Sequence, residues 1–151
     1  MRILNILFAD NDKDDCMLFK DAIQDLSISA EILNVYDGVQ LLYELNNATI
    51  LPYILFLDLN MPRKNGFECL IEIKQLKKYD QLPVIIFSTS YEQNMVNLLY
   101  KNGANYYVRK PAAFSELKKV IQEVVSLTLK GNISLPVNEN FVHREKLRNN
   151  S

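Results

Sequence analysis

Short, wholly apolar runs alternate with helical patterns along this chain, and few architectures accept that alternation. The clearest run, Tyr53-Ile54-Leu55-Phe56-Leu57, has no polar face, so it reads as a strand covered on both sides. Residues 83–87 repeat the pattern, entered by Pro83 at the first residue, where a missing N–H is tolerated. Residues 3–8 read as a strand with Asn5 as their one polar side chain. Weaker strands are expected at 31–36 and 106–109. Between them lie helical spacings: Leu18, Ala22 and Leu26 beside Phe19 and Ile23; Leu41, Leu42 and Leu45 after Asp37-Gly38; Phe67, Leu70 and Ile71. A fourth helix is predicted over 91–102, stopping at Gly103, and a last one after Pro111 with Phe114, Leu117, Ile121 and Val124 on one face. Strict alternation of this kind predicts an α/β fold, a parallel sheet wrapped by helices. It fills residues 1–130. Residues 131–151 are polar and are expected to form a tail or a short docked extension, with Phe141, Val142 and Leu147 as packing candidates and no room for an output domain.

Composition removes several functions. With 17 basic against 18 acidic residues, no polybasic footprint points to nucleic acid or anionic lipid. Lys74, Lys77 and Lys78 read as a solvated helix end. The apolar runs are strand-length, too short to span a membrane, and the N-terminus lacks a small-residue cleavage site. Cys16 and Cys69 fall in predicted helices without metal-ligand spacing, as free thiols of a reducing cytoplasm would.

Ligands of parallel α/β sheets gather beyond the carboxyl ends of the strands. Here strand one delivers Asp10-Asn11-Asp12, strand three Asp58, strand four Ser88-Thr89-Ser90 and strand five Lys110-Pro111. Alone, Asp10 or Asp12 reads equally well as a cap of the first helix, and Ser88 as a cap of the fourth. Four polar groups at the same end of four strands argue for a site. Two carboxylates about 5 Å apart repel by roughly 3 kcal/mol at an effective dielectric of 20. One lysine does not offset that, whereas Mg²⁺, which uses one or two carboxylates plus phosphate oxygens, does. A carboxylate beside such a cation can attack phosphorus and form an acyl phosphate.

Leu57-Asp58-Leu59-Asn60-Met61-Pro62 with Gly66, corroborated by Lys110-Pro111, resembles the receiver domain of two-component response regulators over about residues 3–127. The resemblance implies a doubly wound, flavodoxin-like sheet of five parallel strands in the order 2-1-3-4-5, with helices on both faces. It implies that Asp58 is the phosphoacceptor, served by a histidine kinase or phosphotransfer protein. It implies that Asp10, Asn11, Asp58 and the backbone carbonyl of Asn60 hold Mg²⁺. Ser88 and Thr89 would flank the phosphate, Lys110 would contact it, Tyr107 would change rotamer, and Lys110-Pro111 would be a cis peptide bond. Two adjacent acidic residues usually follow strand one in this family. Asn11 takes the second place, so weaker Mg²⁺ binding is expected. Ala112-Ala113 stands where a bulkier apolar residue is common.

The function expected is a stand-alone phospho-switch that alters binding of a downstream protein. The alternative is a pseudo-receiver, a binding module working without phosphorylation. A phosphatase passing through an aspartyl-phosphate ranks lower, because its usual second carboxylate is Asn60 here, which transfers no proton. The lone His143 lies in the tail, which argues against an internal His-to-Asp relay. A monomer or weak homodimer is expected, with Tyr91, Tyr100 and Tyr106 as candidate contacts.

Overall fold

The computed structural model describes residues 3–131 and, as backbone only, residues 142–143. The elements are β1 (Leu4–Ala9), α1 (Lys13–Asp25), β2 (Ala30–Val35), α2 (Gly38–Asn47), β3 (Ile54–Leu57), α3 (Gly66–Lys74), β4 (Val84–Ser88), α4 (Gln93–Lys101), β5 (Tyr106–Arg109), α5 (Phe114–Leu129) and β6 (Val142–His143), with one 3-10 turn at Lys77–Tyr79. All pairings are parallel, and the sheet order is β2-β1-β3-β4-β5-β6. The expected order of the first five strands is therefore present, and β6 lies beyond β5, with Tyr107 opposite Val142 and Val108 opposite His143. The packing expected of Phe141 and Leu147 falls outside the described residues.

Successive side chains of a strand point to opposite faces, so each strand feeds two cores. From β1, Leu7 and Ala9 join Leu41, Leu45, Leu70 and Leu99 of α2, α3 and α4. Leu4, Ile6 and Phe8 join Phe19, Ile121 and Val124 of α1 and α5. The second core is built on phenylalanines: Phe8 stacks on Phe19 at 4.2 Å between centroids, and Phe56 meets Phe87 edge-on at 6.0 Å. Burial on both faces is why β3 and β4 are apolar throughout. The edge strand β2 alternates between half-buried and exposed residues, and its signal in the sequence is correspondingly weaker.

The helices are started by side chains just ahead of them. Asp12 accepts from the backbone N–H of Asp14 and Asp15 at 2.9 and 3.2 Å and caps α1. Asn65 and Glu68 form a reciprocal capping box on α3. Glu92, not Ser88, caps α4, accepting from Met95 N–H at 3.0 Å. That leaves the Ser88 hydroxyl for other work. Lys77 and Lys78 are exposed as expected, but Lys74 is not a solvated end. It bends inward to donate to the Leu82 carbonyl at 3.1 Å, and burial lowers its pKa.

Candidate functional site

Sheet hydrogen bonding continues just past the strand ends and so places the polar residues there. Asp10 N–H donates to Val35 O at 3.0 Å, Asp58 N–H to Ala9 O at 2.9 Å, and Lys110 N–H to Ser88 O at 2.9 Å. Asp10, Asp58, Ser88 and Lys110 therefore share one edge of the sheet, around its middle strands. The loop after Asp58 is held tightly. Gly66 N–H donates to Leu59 O at 3.0 Å, and Met61 is buried. Arg63 takes a left-handed φ of 69° and pairs with Asp37 at 3.5 Å.

The Lys110 ammonium is the centre of the constellation. Its Nζ donates to Asp10 Oδ2 at 2.6 Å and to Asp15 Oδ2 at 2.8 Å, and lies 3.8 Å from Asp58 Oδ2. Three carboxylates thus surround one cation. The Asp10 and Asp58 residues are only 1% and 7% exposed. Burial pushes the Asp58 carboxyl up to about 6, against the opposing pull of Lys110; the Asp10 charge raises it further, and the backbone N–H groups of Asn60 and Leu59 lower it. Burial likewise raises Asp10, opposed first by its bond to Lys110. For Lys110, burial disfavours the charge, but the bonds to Asp10 and Asp15 outweigh it and hold the pKa above the ordinary lysine value.

Ser88 is fully buried. Its Oγ lies 3.1 Å from Ser90 Oγ and accepts from Ser90 N–H at 3.3 Å. Tyr107 is already packed inside the protein, its hydroxyl donating to the Ser90 carbonyl and its ring edge-on to Tyr91 at 5.8 Å. Any rotamer change would start from this buried ring. Thr89 and Asn60 are exposed on the same edge. Asn11 is also exposed, and its side-chain Nδ2 donates to Tyr36 O at 3.2 Å, tying the loop after β1 to the end of β2. The cis bond expected at Lys110-Pro111 is corrected: no described peptide bond is cis. The trans form is the lower in energy for an X–Pro bond, by about 0.5–1 kcal/mol.

One residue escaped the sequence reading, and another was named there without its own role. Asp15, in the first turn of α1, reaches Lys110, and Ser90 links Ser88 to Tyr107. Asp15 stands on the turn that the Asp12 cap orders, which is the signal that points it toward the strand ends.

A buried carboxylate, a cation within 4 Å and a hydroxyl on the neighbouring strand form an arrangement chemically suited to taking up a phosphoryl group. The donor set also suits a hard divalent cation. Asp10, Asp15 and Asp58 outnumber Lys110, and both Asp10 and Asp58 ionise less readily than a free carboxylate. Among the described residues no three His, Cys, Asp or Glu side chains form a metal centre by themselves. A hard divalent cation needs only one or two carboxylates and fills its shell with carbonyl, water and phosphate oxygens.

Comparison with known proteins adds to this geometry. The response regulator receiver domain family matches residues 6–122. Response regulator Rcp1 of Synechocystis sp. (strain ATCC 27184 / PCC 6803 / Kazusa) is 29% identical over 136 residues, 87% of this chain and 92% of that protein. The crystal structure of the phosphorylated cyanobacterial phytochrome response regulator RcpA aligns with a TM-score of 0.80 at 27% identity, covering 86% of this chain and 96% of that one. The Mn(2+)-bound form of response regulator Rcp1 aligns with a TM-score of 0.77 at 29% identity, covering 89% and 99%. With the family pattern running from within β1 into α5, across every strand end that carries the acidic pocket, this chain belongs to the response regulator receiver domain family.

Proposed function

We propose that this protein is a phospho-switch of two-component signalling. It accepts a phosphoryl group on Asp58 from a histidine kinase or histidine phosphotransfer protein and thereby changes its affinity for a downstream protein. The observation that carries this reading is the Asp58 carboxylate, buried at the edge of the sheet with the Lys110 ammonium 3.8 Å away. An Asp58 oxygen attacks phosphorus as the bond to the donor's leaving group breaks, and an acyl phosphate forms. Lys110 meets the negative charge of the arriving group. Ser88 exchanges its partner Ser90 for a phosphoryl oxygen, which loosens the contact that Ser90 makes with Tyr107. Because Tyr107 is buried beforehand, the switch lies in what its hydroxyl is bonded to more than in burying the ring.

Asp10, Asp58, the Asn60 carbonyl and the Asn11 side chain would hold Mg²⁺. The bound cation spreads the charge of the transferring phosphoryl group. The similar response regulator Rcp1 has a Mn(2+)-bound form, which supports divalent-cation binding by this chain. A cytoplasmic setting suits the two free, buried cysteines. A monomer or weak homodimer fits Tyr91, Tyr100 and Tyr106, which are half-buried against their own fold.

Incubation with acetyl phosphate and Mg²⁺, followed by intact-mass measurement, tests the acceptor. The parent gains one phosphoryl group and Asp58→Asn gains none. An unmodified parent, or equal gain in both proteins, sinks the reading. Calorimetry tests the metal. Asn11→Asp adds a carboxylate to the pocket and tightens Mg²⁺ binding roughly tenfold, at the cost of the bond to Tyr36 O. Unchanged affinity would place residue 11 outside the metal's reach. Negligible binding in the parent would favour the pseudo-receiver instead.

A further inference from the structure

We propose that Asp15 is a positioning residue for phosphotransfer. It seats the Lys110 ammonium away from Asp58 and keeps open the gap that the phosphoryl group enters. The proposal rests on Asp58 being the acceptor. Three distances carry it: Lys110 Nζ lies 2.6 Å from Asp10, 2.8 Å from Asp15 and 3.8 Å from Asp58. The first two are charge-assisted hydrogen bonds; the third is too long to be one. Lys110 follows β5 on a flexible stem with its side chain only 10% exposed, so its ammonium pairs with the carboxylates at hand. Asp10 and Asp58 follow adjacent strands, and an ammonium bound to Asp10 alone would swing between them. Asp15 approaches from α1 and supplies the second anchor.

The anchor is itself fixed. Asp12 accepts from the N–H of Asp15 at 3.2 Å, which ties down the backbone that carries the second carboxylate. The Asp15 side chain is 28% exposed and reaches the ammonium from the solvent side, whereas Asp10 and Asp58 are buried. With both seats taken, Asp58 keeps its oxygens clear of the ammonium and free to attack. The charge stands ready one atom's width away, where negative charge arrives with the phosphoryl group. A cation fixed before the reaction does not have to reorganise during it. If Lys110 closes onto Asp58 instead, the nucleophile is tied up in an ion pair and the gap is lost.

Asp15→Asn keeps the size and removes the charge. In metal-free protein, NMR correlations through hydrogen bonds link the Lys110 ammonium to the carboxyl carbons of Asp10 and Asp15 in the parent; in Asp15→Asn a correlation to Asp58 replaces the lost one. Phosphorylation is followed with acetyl phosphate: an Asp58 oxygen bonds to phosphorus as the phosphorus–oxygen bond to acetate breaks, acetate leaving with the electron pair. The rate falls about tenfold in Asp15→Asn, a fraction of the loss seen when a charge-stabilising donor is removed outright. Asp15→Glu, which keeps the charge, recovers most of it. Melting curves of all three proteins report folding, and a rate loss tracking stability alone, with no recovery in Asp15→Glu, overturns the proposal. So does a parent-like rate in Asp15→Asn, or a Lys110 ammonium that never approaches Asp58 in that variant. A parent that takes no phosphoryl group refutes the acceptor reading instead, and the ammonium correlations then decide the seat by themselves.

Discussion

Asp58→Asn melts several degrees above the parent in metal-free buffer near pH 7.5, and the gain closes as the pH is lowered toward 4. The cause is the burial of the Asp58 charge. Its carboxyl is raised from 3.8 to about 6 in the folded protein, with Lys110 compensating only in part. Between those values the folded state keeps a proton that the unfolded chain has already lost. Stability therefore falls as pH rises through that window and stays low above it. At neutral pH the penalty is about 3 kcal/mol, since each pKa unit is worth about 1.4 kcal/mol. Asparagine has no charge to bury, but its amide still needs hydrogen-bond partners, which leaves a net gain of about 2 kcal/mol. For a domain of this size that is roughly 4–8 °C. Thermal melts of both proteins from pH 4 to 8 with a chelator present check it. Equal melting across the neutral range would mean that Lys110 fully offsets the Asp58 charge. Adding Mg²⁺ raises the parent more than the variant, because only the parent keeps the full donor set.

Gly66→Ala unfolds far more readily and loses phosphorylation with it. A Cβ at position 66 would lie 2.2 Å from the backbone oxygen of Asp58 and 2.9 Å from Leu59 Cα. Both are main-chain atoms of the loop that presents the nucleophile, so no side chain can turn aside. Either α3 withdraws or the loop shifts, and both break the bond from Gly66 N–H to Leu59 O. Overpacking against backbone costs about 2–4 kcal/mol. Denaturant titration reads the stability loss, and acetyl phosphate labelling reads the displaced Asp58. A variant as stable as the parent would show that the loop tolerates the shift.

Much of this arrangement is legible in the chain because a parallel sheet buries both of its faces. Residues 54–57 and 84–87 are apolar without interruption for that reason, and the residues that end those strands fall at one edge by topology alone. Asp58, Asp10, Ser88 and Lys110 could therefore be placed together before any coordinates. Asp15 could not. Its link to Lys110 depends on how the first turn of α1 leaves the strand end, and the Asp12 cap sets that angle. The resemblance singles out Tyr107, but the buried position of its ring leaves no trace in composition or spacing. Lys74 reads as solvated because lysine usually is; its bond to Leu82 O depends on the chain curling back through the 3-10 turn. β6 has two residues, too short for any period to register.

Adjacent residues of β5 belong to different halves of the molecule. Tyr107 packs with α3 and α4, while Val108 packs among the phenylalanines beneath α1 and α5. The sheet is thus a partition wall, with a separate room on each side. A disturbance that enters through Ser90 and Tyr107 spreads into one room only. The other room, pinned by Phe8, Phe19, Phe56 and Phe87, keeps the strand ends registered while its neighbour rearranges. Under the proposed switch, the outward face would change without blurring the pocket around Asp58.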